Sequence, residues 1–128
     1  MKRIAAHLVC FASQSLYRMS YAELSDDYRL LGVYPLQEEI AGTQFVNGAV
    51  LLVPKKQYPS VDEVAAKAES LINSGRTLPL AGLLNEFGLI DAPVMGEAYH
   101  VLHLDGLNLS SSEFGANNGG GNRHVQRL

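Results

Sequence analysis

The 128-residue chain has no tryptophan, a single cysteine and no apolar run that approaches the thickness of a bilayer. One cysteine excludes an intramolecular disulfide, so Cys10 reads as a buried small hydrophobe, a usage that fits a reducing cytoplasm. The longest apolar stretch, around residues 49–54, falls far short of the roughly 20 residues a membrane helix needs, and no span is expected. Charge of one sign is also missing: the net charge is −3, and basic residues are scattered from Lys2 to Arg127. Without a basic patch there is no electrostatic footprint for a phosphate backbone, which argues against nucleic acid as a partner. Met1-Lys2-Arg3 and the apolar residues 4–12 superficially look like a signal peptide, but the stretch is short and His7 interrupts it. His7-Leu8-Val9 also lacks the small residue that a lipoprotein cleavage site carries before its cysteine. A cytoplasmic protein is expected. No internal repeat is present.

What the chain does have is a hydrophobic content of 47% against 18% charged residues, enough to build a core. Its length suits one domain. The first half reads as strands over residues 4–11, 16–24, 28–34 and 44–53, separated by Ser13-Gln14-Ser15, Ser25-Asp26-Asp27 and the Pro35 to Glu39 connection. In the second strand Leu16, Arg18 and Ser20 alternate with Tyr17, Met19 and Tyr21, and Asn47-Gly48 marks a turn or bulge in the fourth.

The texture changes at Pro59. Ser60-Val61-Asp62-Glu63 forms a capping box, and Val61, Val64, Ala65, Ala68, Leu71 and Ile72 recur on one helical face that Gly75 ends. A shorter helix over residues 79–87 carries Leu80, Leu83, Leu84 and Phe87, with Thr77 as its cap and Gly88 as its stop. Strand character returns over residues 99–104, and a glycine- and asparagine-rich loop at 115–123 leads to a last strand near 124–128. The expected fold is α+β in one domain over 1–128. Strands over about 3–54 and 97–128 form a small β-sandwich or partial β-barrel, and a helical insert occupies about 59–88.

The opening strand Arg3-Ile4-Ala5-Ala6-His7, the strands near residues 19–24 and 27–34, and Phe45-Val46-Asn47-Gly48-Ala49-Val50-Leu51-Leu52-Val53-Pro54 together resemble the start of an amidohydrolase, a metal-dependent hydrolase superfamily. The far end, with Leu102-His103-Leu104-Asp105-Gly106-Leu107-Asn108-Leu109 and the closing His124-Val125-Gln126-Arg127-Leu128, resembles the strands that complete the accessory β domain of that family. Pro79-Leu80-Ala81-Gly82-Leu83-Leu84 is similar to the start of its last barrel helix, and residues 60–74 to a helix just before it. In the family a (β/α)8 barrel begins directly after the Val-Pro step with a His-x-His metal pair. Here Lys55-Lys56-Gln57-Tyr58-Pro59 follows Val53-Pro54, and about 40 residues stand where a barrel of about 250 would be. The resemblance therefore implies the accessory domain without its barrel, and no catalytic or metal-binding residue carries over.

Taken alone, His7, His100, His103 and His124 are the candidate metal-ligand set. Against it, His100 and His103 stand three apart in a strand and project to opposite faces. Gly119-Gly120-Gly121-Asn122-Arg123 contains the glycines of a phosphate loop but leads into no helix, and reads as a surface loop. Ser110-Ser111-Ser112 with Glu113 lacks a nucleophile elbow, and Asp26-Asp27 and Glu38-Glu39 read as solvated turns. The chain is expected to be a non-catalytic interaction or small-ligand-binding domain with no cofactor. A homodimer or another protein is its expected partner, since two short helices cover one sheet face and not two. The alternative is a small enzyme using clustered histidines.

Overall fold

The computed structural model describes residues 1–38, 41–89, 92–115 and 124–128. Its elements are β1 (Lys2–Phe11), β2 (Leu16–Leu24), β3 (Leu30–Pro35), β4 (Thr43–Pro54), α1 (Val61–Ile72), β5 (Leu78–Pro79), α2 (Leu80–Asn85), β6 (Tyr99–Leu104), β7 (Leu107–Asn108), β8 (Glu113–Phe114) and β9 (Val125–Arg127). Six strands form one mixed sheet in the order β3-β2-β1-β4-β6-β9, and β5-β8-β7 form a second, small sheet. Both are open, so the described residues are mostly β with two helices and form no closed barrel.

Strands from both ends of the chain share the large sheet. β1 and β4 run parallel in its middle, while β2, β3, β6 and β9 add antiparallel. The ends of the curled sheet approach each other at one point, where Arg29 and Ala98 form a bridge. Around it Leu30 N–H donates to Glu97 O at 2.9 Å and Tyr99 N–H to Tyr28 O at 2.9 Å.

One core lies between the sheet and the helices. Leu8, Cys10, Ala49, Leu51, Leu102 and Leu104 meet Val64, Ala68 and Ile72 of α1 and Leu80, Leu83 and Leu84 of α2. The apolar stripes foreseen for both helices are the faces that pack. Ser60 accepts the Glu63 N–H at 3.3 Å, as the capping motif requires. A second core fills the opposite face, inside the curl, with Ile4, Ala6, Val9, Phe11, Ala22, Leu24, Leu30, Val50, Leu52, Tyr99 and Val101.

The alternation expected in β2 fails, and the cause is a fault line across three strands. Ala6 pairs with Val46 and Leu8 with Ala49, so Asn47 and Gly48 together stand opposite His7. Gly48 takes φ +92° to make this bulge, and a Cβ there would lie 3.3 Å from the Leu104 carbonyl oxygen. In β1, Ile4 and Ala6 face the inner core, but so do Val9 and Phe11, so the facing reverses at His7. β2 reverses at Met19, where φ is +42°. As a result residues 16–19 are all exposed, although the sequence placed them on alternate faces.

Other boundaries moved for local reasons. Tyr28 belongs to the turn and not to the third strand: it adopts φ +63° and donates its N–H to Ser25 O. Thr77 does not cap α2, whose N-cap is Pro79 without a side-chain bond; Leu80 N–H donates to Ser112 O at 2.8 Å instead. Ser110-Ser111-Ser112 do form a turn, that of the β7–β8 hairpin, where Asn108 Oδ1 accepts from Ser110 and Ser111 N–H; the two short strands beside it were not foreseen. Most of the glycine-rich loop, residues 116–123, lies outside the described residues.

Candidate functional site

Where the parallel strands β1 and β4 end, the chain turns away on both sides and leaves a space. At Phe11, β1 breaks into a tight turn: Gln14 N–H donates to Phe11 O and adopts φ +69°. At Pro54, β4 gives way to Lys55, whose N–H donates to Ala98 O at 3.0 Å. The segment 92–97 roofs the gap. The result is a cavity of about 130 Å³ with Phe11, Leu89, Val94 and Tyr99 as apolar walls and Ser13, Lys56, Gln57 and Glu97 as polar ones.

Two features define its chemistry. The Phe11 and Tyr99 rings meet edge to face with centroids 5.5 Å apart, which fixes the floor. The Tyr99 hydroxyl accepts the Val94 N–H at 3.0 Å, and its phenol is held above the ordinary value of 10.0 by burial, with the Glu97 charge adding to the rise and the Val94 bond opposing it. It stays a neutral phenol near pH 7. Ser13 lines the cavity, and its Oγ is buried without a hydrogen-bond partner among the described residues. An unbonded buried hydroxyl costs free energy unless a guest completes it.

The histidines are dispersed into separate structural contacts. His7 Nδ1 accepts the Gly48 N–H at 3.0 Å, while its ring meets Phe45 edge to face at 5.3 Å. The other side of the bulge is held by His103, whose Nε2 lies 2.6 Å from Asn47 O. His100 Nε2 lies 2.6 Å from Tyr58 O, on the helix side of β6 with Leu102 and Leu104. His103 shares the opposite parity with Tyr99 and Val101. His124 donates its backbone N–H to the Glu69 carboxylate, and its Nδ1 stands 3.8 Å from Glu69 Oε2. Among the described residues no three His, Cys, Asp or Glu side chains converge as a metal site, and no histidine lines the cavity.

A second depression, about 540 Å³ and more open, lies between α1 and β9. The Arg127–Asp62 ion pair crosses it, and Glu69 on its wall accepts the His124 backbone N–H. Cys10 lies elsewhere, fully buried, with Sγ 3.1 Å from Val50 O and its thiol pushed up by burial to about 12.

Sequence reading missed the cavity because three separate segments build it and alternation does not reveal which strands run parallel. The only local sign was the polar break Ser13-Gln14-Ser15 directly after an apolar strand. No protein-family model matches the chain, and no curated protein matches it. Among the described residues no helix is long and apolar enough to cross a membrane.

Proposed function

We propose that the chain is a non-catalytic domain that binds a small molecule in the cavity at the ends of β1 and β4. The observation that carries this reading is the buried Ser13 Oγ, unbonded among the described residues, beside a cavity floored by Phe11 and Tyr99 and walled by both apolar and polar side chains. Open α/β sheets bind ligands beyond the carboxyl ends of parallel strands, the end where this cavity sits. At about 130 Å³ it is close to the roughly 150 Å³ that accepts benzene and below the range of about 300–1,000 Å³ that holds drug-sized ligands. The guest is therefore one ring or branched aliphatic group with a single polar atom for Ser13. Sharing of one sheet by strands from both chain ends supports the relation to the amidohydrolase accessory domain. The lone free thiol supports a cytoplasmic setting.

Amide-resolved NMR with millimolar phenol, benzyl alcohol and isobutyramide tests the reading. Shifts confined to Ser13, Leu89, Val94 and Tyr99, lost in Ser13→Leu, are expected. No shift with any of them removes the proposal.

A homodimer is the second part of the proposal. Beyond Leu30, which bonds Glu97 and Gly96, β3 is an edge whose outer side no described strand pairs, and Leu31 on it is 45% exposed. Sedimentation at micromolar concentration should show a dimer that Leu31→Lys dissociates. A monomer removes this part and leaves the cavity reading standing.

A further inference from the structure

The helices cover only half of their sheet face, and the other half carries a row of rings. Phe45 of β4, Ala5 of β1, Tyr21 of β2 and Tyr34 of β3 are direct partners across four adjacent strands, so their side chains share a side. Ala5 is fully buried beneath its neighbours, whereas Tyr34 and Phe45 are 43% and 45% exposed. Tyr21 and Tyr34 form one platform, with centroids 5.4 Å apart and planes tilted by 39°. Tyr34 lies down along its own strand. A Cβ on Gly32 would fall 2.4 Å from its hydroxyl oxygen, so the absent side chain is what lets the ring settle there with its other face outward. His7 stands edge-on to Phe45 and props it at the opposite end of the row.

We propose that this row is a stacking platform for a neutral oligosaccharide. Its extent argues first. Three strand spacings by four residues make roughly 200 Å², against about 800 Å² per partner in a stable protein interface. A folded partner finds too little surface, while a short chain of sugar rings fits. Charge argues second. In the neighbouring row Arg3 Nε pairs with Glu23 Oε2 at 3.0 Å, so neither charge is free for an ionic ligand. Among the described residues the other charges close to the row in sequence or pairing are Arg18, which pairs with Leu8 beyond His7, and Glu38, four residues after Tyr34. Pyranose rings have the matching character, with a flat C–H face for the tyrosine and phenylalanine rings and hydroxyl edges for the Tyr21 hydroxyl and the Arg3–Glu23 pair. The site lies toward the start of β1 and is independent of the cavity at its end.

The probes are cellohexaose, chitohexaose, xylohexaose and mannohexaose, with a heparin hexasaccharide as the acidic arm. With no tryptophan in the chain, tyrosine emission reports binding directly. At least one neutral hexasaccharide should quench it saturably. Tyr34→Ala and Phe45→Ala should each weaken binding about tenfold or more, while Tyr34→Phe stays near wild type because the ring remains. Thermal melting of each variant verifies the fold, and Tyr34→Phe keeps the test valid if Tyr34→Ala does not fold. Absence of binding to every neutral probe at millimolar concentration overturns the proposal. So does binding of heparin alone that salt and Arg18→Gln abolish, or neutral binding that Phe45→Ala leaves unchanged.

Discussion

The Tyr28 hydroxyl donates to the Leu128 backbone oxygen at 3.0 Å, across 100 residues of sequence. Leu128 N–H in turn donates to Val101 O at 2.9 Å, and Lys2 Nζ lies 4.8 Å from the Tyr28 ring centroid. The first and last strands are therefore tied at the open side of the curl as well as through the sheet.

Deleting residues 97–128 removes β6 and β9 and with them Tyr99 and Val101 from the inner core. The remaining strands and helices should lose cooperative unfolding. A truncated protein that still melts in one sharp calorimetric transition would show that the tie is dispensable. Tyr28→Phe is the mild version, with an expected cost of about 0.5–1.5 kcal/mol for one hydrogen bond, read from urea midpoints.

Cys10 makes stability fall in alkali. Its thiol ionises at about 12 when folded against an ordinary 9.0. Between those values the folded state holds a proton that the unfolded state has released, so stability declines by about 1.4 kcal/mol per pH unit across that window. Below pH 9 both states are protonated and no slope arises from this group. Urea titrations from pH 8 to pH 11 should show a slope that is shallower in Cys10→Ala. Equal slopes in the two proteins would mean that the thiol is not buried in this way.

Gly48→Ala forces a side chain into φ +92° and against the Leu104 carbonyl oxygen. A loss of about 1–3 kcal/mol is expected, with an unchanged denaturant slope. A neutral result would mean that the bulge can relocate.

Leu83 is fully buried in the helix layer, and Leu109 is 37% exposed. Leu83→Ala should cost about 2–5 kcal/mol, and Leu109→Ala should stay within about 0.5 kcal/mol. Thermal melts of the two separate helix-layer packing from surface apolarity.

Much of the helical half was legible because its signals are local. Ser60 with Glu63 marked the start of α1, and the spacing of Val64, Ala68 and Ile72 marked its buried side. The limits of β2 and β6 were readable from flanking turns, and the period of two sufficed to set His100 and His103 on opposite faces. The parallel pairing of β1 with β4 was not readable, because alternation says which side chains are buried and nothing about which strand lies alongside. β7 and β8 have two residues each, too few to show a period, although Ser110-Ser111-Ser112 read as the turn that joins them. The facing reversal in β2 escaped for another reason: Met19 takes φ +42° without being a glycine, whereas Asn47-Gly48 marked the bulge opposite His7 without showing that the facing of β1 reverses there.

The parallel pairing in the middle of the sheet sets a problem of timing during synthesis. β1 is buried along most of its length, yet the residues that cover one of its sides are about forty positions later, with Arg3 opposite Thr43 and Phe11 opposite Leu52. A ribosome emits β1 first and its parallel neighbour several seconds afterwards at ordinary elongation rates of roughly 5–20 residues per second. During that interval only the β2 hairpin can shield it, leaving the other edge available to any passing strand. The nascent chain thus passes through a stage in which one edge of an apolar strand stands open, a consequence of pairing β1 with a strand about forty residues later.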